Sequence, residues 1–76
     1  MATNQEARER ILLALLAGHV AVRSPSHTWR WAERREGAPS LANPHTAALF
    51  QMDYVTECDG QLALTAMGLI IARRIQ

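Results

Sequence analysis

The sequence predicts one mostly α-helical domain with a small β-hairpin, spanning residues 1–76, and three local signals carry that reading. Thr3-Asn4-Gln5-Glu6 is a capping box, in which the threonine oxygen accepts a free backbone N–H and the glutamate three residues on reaches back. Asp59-Gly60 separates the extended runs 54–58 and 61–64, the pairing expected of a two-residue hairpin whose turn needs positive φ at both central positions. Thr65 stands ahead of a final apolar run as a helix N-cap.

The remaining elements follow from composition and punctuation. Strong helix formers after the capping box put a first helix over 4–17, stopped by Gly18. Residues 19–23 are short and β-branched, bounded by Gly18 and by Ser24-Pro25, and read as a short strand. Ser26 caps a second helix over 27–36, ended by Gly37 and Pro39. After a loop over 38–42, Asn43-Pro44 opens a third helix over 44–52 as N-cap and first helical residue. A last helix covers 66–75, giving the order helix, strand, helix, helix, hairpin, helix.

Composition bounds the function. Hydrophobic residues make up 49% of the chain and charged ones 20%, which excludes intrinsic disorder. The net charge of +1 is too weak to announce nucleic acid or a membrane surface. One cysteine, Cys58, allows no internal disulfide and fits a reducing compartment. The longest apolar stretch, 11–22, contains Gly18 and His19 and is shorter than the ~20 residues of a bilayer span. A cytoplasmic domain without membrane association is expected. Every basic residue is arginine and alanine is the most frequent residue. Both have GC-rich codons, pointing to a GC-rich bacterial or phage genome.

From Ala48 onward the residues resemble the recognition-helix end, wing and closing helix of MarR-like and PadR-like bacterial regulators. Leu49, Met52, Tyr54, Val55, Asp59, Gly60, Leu64, Thr65 and Gly68 occupy the places of that pattern. The resemblance covers about the last 30 residues and implies a winged helix-turn-helix fold. Asp53 departs from it, standing where the family has a glycine leaving the third helix in a left-handed conformation. Aspartate tolerates that conformation better than most residues.

On a helical wheel His45, Ala48, Leu49 and Met52 share the core side of the third helix, while Thr46, Ala47, Phe50 and Gln51 point away. If that helix enters a major groove, Thr46, Ala47 and Gln51 meet base edges, and Asn43 with the free N–H groups holds a phosphate. Arg30, Arg34 and Arg35 on the second helix then fix the backbone, although Glu33 and Glu36 interleave with them and a solvated, partly paired surface explains them equally. Against the duplex, the third helix carries no arginine, and an outward Phe50 suits a protein contact. Trp29 and Trp31 are two positions apart, so one helix points only one of them inward.

Leu12, Leu13 and Leu16 in the first helix and Leu69, Ile71 and Ile75 in the last are spread around their wheels. A helix apolar all round in so small a domain meets another chain, most simply as a symmetric homodimer. No catalytic site is legible: Ser24-Pro25-Ser26-His27 lacks a third group and an oxyanion donor. His19, His27, His45 and Cys58 are not at paired ligand spacing, so neither a metal nor a cofactor is expected. Two functions remain. The first is a small dimeric DNA-binding transcriptional regulator reading duplex DNA with residues 44–52. The alternative is a protein-interaction module, such as a phage-encoded inhibitor of a host protein.

Overall fold

The computed structural model describes residues 4–33 and 35–76. Seven elements follow in order: α1 (Asn4–Leu16), β1 (Ala21–Arg23), β2 (Trp29–Trp31), α2 (Asn43–Gln51), β3 (Val55–Cys58), β4 (Gln61–Leu64) and α3 (Ala66–Ile75). The architecture is mixed α/β, with three helices and a four-stranded antiparallel sheet in the order β2-β1-β4-β3. Thr3 of the expected capping box lies outside the described residues.

The main correction concerns residues 27–36, expected as a helix. They contribute β2 instead, which pairs with β1 in the register Ala21↔Trp31, Val22↔Arg30 and Arg23↔Trp29. The intervening residues turn tightly, with the Ser24 N–H donating to Thr28 O and the His27 N–H to Ser24 O, at 2.7 and 3.0 Å. Ser26 caps no helix. Its hydroxyl joins those of Ser24 and Thr28 in a triangle with sides of 2.8 to 3.1 Å, and His27 takes the left-handed conformation (φ 64°). Among the described residues the expected helix at 27–36 is therefore absent, so α2, which stands for the helix expected at 44–52, has no helix directly ahead of it, and the sheet consists of two hairpins instead of one.

Strand geometry also settles the tryptophans. Alternate residues of a strand share a face, so Trp29 and Trp31 both pack against the core, and Arg30 between them points out. The Trp31 indole N–H donates to Pro39 O at 2.8 Å. Together with a bond from Arg10 Nη2 to Gly37 O at 3.0 Å, this holds the irregular segment before α2 against β2 and α1.

The exits of α1 and α2 follow the sequence closely. α1 closes through bonds from Gly18 N to Leu15 O and His19 N to Ala14 O, with Gly18 at φ 98°, the Schellman arrangement that leaves a helix through a left-handed residue. α2 closes in the same way, with Asp53 N bonded to Phe50 O and Tyr54 N to Leu49 O. Asp53 takes the left-handed place at φ 63°. Asp59 (φ 52°) and Gly60 (φ 77°) form the expected tight turn between β3 and β4, which pair from Val55↔Leu64 to Cys58↔Gln61.

Thr65 connects the second hairpin to α3. Its Oγ1 accepts from the Gly68 N–H at 3.0 Å and donates to Asp53 O, while its own N–H donates to Tyr54 O at 3.1 Å. Thr65→Ala removes a cap and a tie to the α2 exit, and should cost about 1–2 kcal/mol, read from the urea midpoint. Thr65→Ser should keep most of it. An alanine variant as stable as the parent would refute the role.

The core gathers Ile11 and Leu12 of α1, Ala21 of β1, Leu41, Leu49 of α2, Val55, Leu62 and Ala72 of α3. One sheet face supplies Ala21, Trp29, Trp31, Val55, Leu62 and Leu64 to this core or its border. The registers place Val22, Arg30, Gln61, Cys58, Thr56 and Ala63 on the other. α3 meets the interior through Gly68 and Ala72, its buried residues, and their small size lets the helix lie close.

Candidate interaction surface

α2 is held between α1 and β3 by fully buried Leu49, which leaves one side of the helix outward. Ala47, Phe50 and Gln51 are exposed there, as expected from the wheel, and so is Asn43 at the N-terminal end. Thr46 is a correction. It is only 3% exposed, and its hydroxyl donates back to Asn43 O at 3.3 Å, so it does not reach an outside ligand. Asn43 is not the cap; Ala42 occupies that place with extended backbone and no side-chain cap bond. Met52, expected inward, is exposed because the helix ends at Gln51 and the chain turns away at Asp53.

Phe50 is 38% exposed and lies against Trp29 of β2, with ring centroids 6.0 Å apart and planes tilted by 31°. This aromatic pair joins the outward side of α2 to the first hairpin. Sequence reasoning isolated Phe50 but not its partner, since Trp29 was assigned to a helix. The alternation Thr28-Trp29-Arg30-Trp31 is the period-two signal that identifies a strand there.

The arginines are displaced from where the second helix would have put them. Arg30 lies on the outward side of β2 opposite Val22, and Arg35 lies in the exposed irregular segment beyond it. Both line one shallow depression that also includes Glu33. Arg34 lies outside the described residues. Near the second turn, Arg23 Nη1 is paired with Glu57 Oε1 at 2.7 Å. Both side chains are well exposed, so the pair contributes little stability. No arginine stands on α2 itself.

The apolar terminal helices divide between core and surface. Leu12, expected at an interface, is a correction: it is 2% exposed and part of the core. Leu13, Leu16, Leu69, Ile71 and Ile75 are half-buried, with Leu16, Ile71 and Ile75 packed against the core. The exposed apolar residues of α3 are instead Met67 and Ile70, each 50% exposed. A groove of about 320 Å³ lies between α1, the end of α2 and α3, with Leu12, Met52, Tyr54, Ile71 and Ile75 in its lining and Arg8 and Glu9 also on it.

No protein-family model, curated protein or solved structure matches this chain. The surface must be interpreted from its own chemistry. Among the described residues no group of three or more His, Cys, Asp or Glu side chains is placed to hold a metal ion. Among them, too, no helix is long and apolar enough to cross a membrane. The outward side of α2 offers an aromatic pair, an amide at Gln51 and another at Asn43.

Proposed function

We propose that this chain is a winged-helix-related interaction domain that docks on a protein partner through the outward side of α2 and the Trp29–Phe50 pair. The support for a winged-helix kinship is the order α2, hairpin β3–β4, α3, with β1 joining β4. The observation that carries the functional reading is the uncharged outward side of α2, flanked by an aromatic pair. Aromatic side chains that are partly exposed on a rigid element are the usual anchors of protein interfaces. A folded host protein, as a phage-encoded inhibitor would target, is the partner class that suits it.

Duplex DNA is the second reading, favoured by the exposure of Asn43, Ala47 and Gln51 along the same helix. It lacks the neighbouring helix whose arginines would hold the phosphates. One pair of experiments separates the two. For the protein reading, an affinity-captured partner is identified, purified and titrated, and Phe50→Asp should weaken binding at least about tenfold with an unchanged circular dichroism spectrum. Undiminished affinity in that variant sinks the docking surface. A gel shift with genomic fragments over a salt series tests the DNA reading. Retention that falls steeply with salt, and less steeply in an Arg30→Ala, Arg35→Ala variant, would establish phosphate contacts and displace the protein reading.

A further inference from the structure

The first hairpin leaves a row of backbone groups open. β2 is an outer strand of the sheet, and two bonds fix the phase of its pairing with β1. The Ser24 N–H donates to Thr28 O, and the Ala32 N–H to Val20 O. In an antiparallel ladder the N–H and C=O of one residue point to the same side, so residues 28, 30 and 32 turn theirs toward β1 and Trp29 and Trp31 turn theirs away. Among the described residues no hydrogen bond reaches the backbone N–H or carbonyl of Trp29 or Trp31. A depression of about 330 Å³ is lined by Arg30 and Trp31, whose side chains project to opposite faces, and by Ala38. Open space therefore runs along the outer side of the strand.

The side chains flanking this edge differ by face. Trp29 stands against Phe50, with ring centroids 6.0 Å apart, and Trp31 packs at the border of the core. Arg30 is exposed on the opposite face, across from Val22, with no ion-pair partner among the described residues. A strand laid antiparallel against β2 sets alternate side chains over Trp29 and Trp31, and the one between them directly opposite Arg30. The same geometry disfavours self-pairing. The two-fold register that engages all four open groups puts Arg30 of one copy opposite Arg30 of the other, a like-charge pair that costs stability.

We propose that β2 receives a fifth strand: an extended, antiparallel segment of the protein partner that carries apolar, acidic and apolar residues across from Trp31, Arg30 and Trp29. Backbone bonds at Trp29 and Trp31 supply the affinity, and the alternate side chains supply the selection. The carboxylate lies against the Arg30 guanidinium, and the apolar side chain at Trp29 extends the aromatic pair with Phe50. This rests on the reading of that pair as the docking anchor, and adds the conformation and charge of what docks.

The probe is a capped heptapeptide with valine, glutamate and valine at its centre and threonines on either side. It is titrated into the isotope-labelled chain while amide exchange is followed by NMR. The expected result is slowed exchange at the Trp29 and Trp31 N–H groups. Lysine in place of the glutamate should weaken binding about three- to tenfold, and methyl groups on the two valine nitrogens should abolish it. In Arg30→Glu, a change at an exposed side chain, the order of the two peptides should reverse. Unchanged exchange at Trp29 and Trp31 in millimolar peptide overturns the inference. So do glutamate and lysine peptides of equal affinity, and so does protection that grows with protein concentration in the absence of peptide, which marks a second copy. Phe50→Asp judges the anchor separately: partner affinity lost in that variant, with Trp29 and Trp31 unprotected by the peptide, sinks the fifth strand alone.

Discussion

Gly68→Ala is expected to unfold the domain or lower its melting temperature by about 15 °C or more, the largest effect of any single methyl group here. A Cβ at position 68 would lie 1.8 Å from the carbonyl oxygen of Tyr54 and 2.8 Å from its carbonyl carbon. These are backbone atoms, so no side-chain rotation relieves the clash. Tyr54 is fixed on both sides: its N–H donates to Leu49 O and its carbonyl accepts from Thr65 N, at 3.0 and 3.1 Å. Moving Tyr54 would break the exit of α2, and moving α3 would pull Ala72 out of the core. The cost should exceed the ~1–3 kcal/mol usual for overpacking, a large share of the roughly 4–11 kcal/mol available to a chain of this length. A thermal melt followed by circular dichroism decides it. Melting within a few degrees of the parent would show that the close approach does not exist.

Leu49→Ala should cost about 2–5 kcal/mol, as expected for a buried leucine that leaves a cavity. Leu49 is fully buried, and its carbonyl also accepts the bond that ends α2. The side chain secures α2 to the core, so its loss should loosen the helix that presents Phe50. A fall in the urea midpoint, with an unchanged dependence on denaturant concentration, is the expected signature. If stability changes by less than about 1 kcal/mol, α2 is not anchored as described. The two substitutions probe opposite failures, since one adds volume at a backbone contact and the other removes it from a side-chain contact.

The second half of the domain was legible because its signals are local. Asp59-Gly60 fixes a turn through φ preferences alone, and Thr65 with Gly68 N forms a cap within a single turn of helix. The bounds of β4 and α3 were read correctly from those residues. The first half was misread at residues 27–36 for a physical reason. Ser26 ahead of the segment and Gly37 with Pro39 behind it punctuate it as they would a helix, and that punctuation outweighed the alternation at 28–31. Pairing of Trp29 and Trp31 with β1, a tertiary term, overrides those local signals. The same error moved Arg30 and Arg35 from a helix side to a strand and an irregular segment. It also hid the contact between Trp29 and Phe50.

Burial was harder to read than element type. Thr46 looked outward on an ideal wheel, yet its hydroxyl finds an acceptor in its own helix at Asn43 O, which lets it be buried without an unsatisfied group. Leu12 looked available because α1 is apolar on several sides. Which of those sides is covered depends on where α3 and α2 pack, and no local signal specifies that. Met67 and Ile70 belong to the apolar circumference of the last helix, and for the same reason nothing local marks them as its most exposed part.

The two hairpins touch along a narrow seam, Val22 beside Gln61 and the Arg23 N–H on Gly60 O. Each ribbon closes over a short loop, whereas the seam brings together opposite halves of the chain and carries the larger entropic penalty. Ribbon formation should accordingly precede their union during folding, and the seam is where the sheet parts first when the chain is stressed.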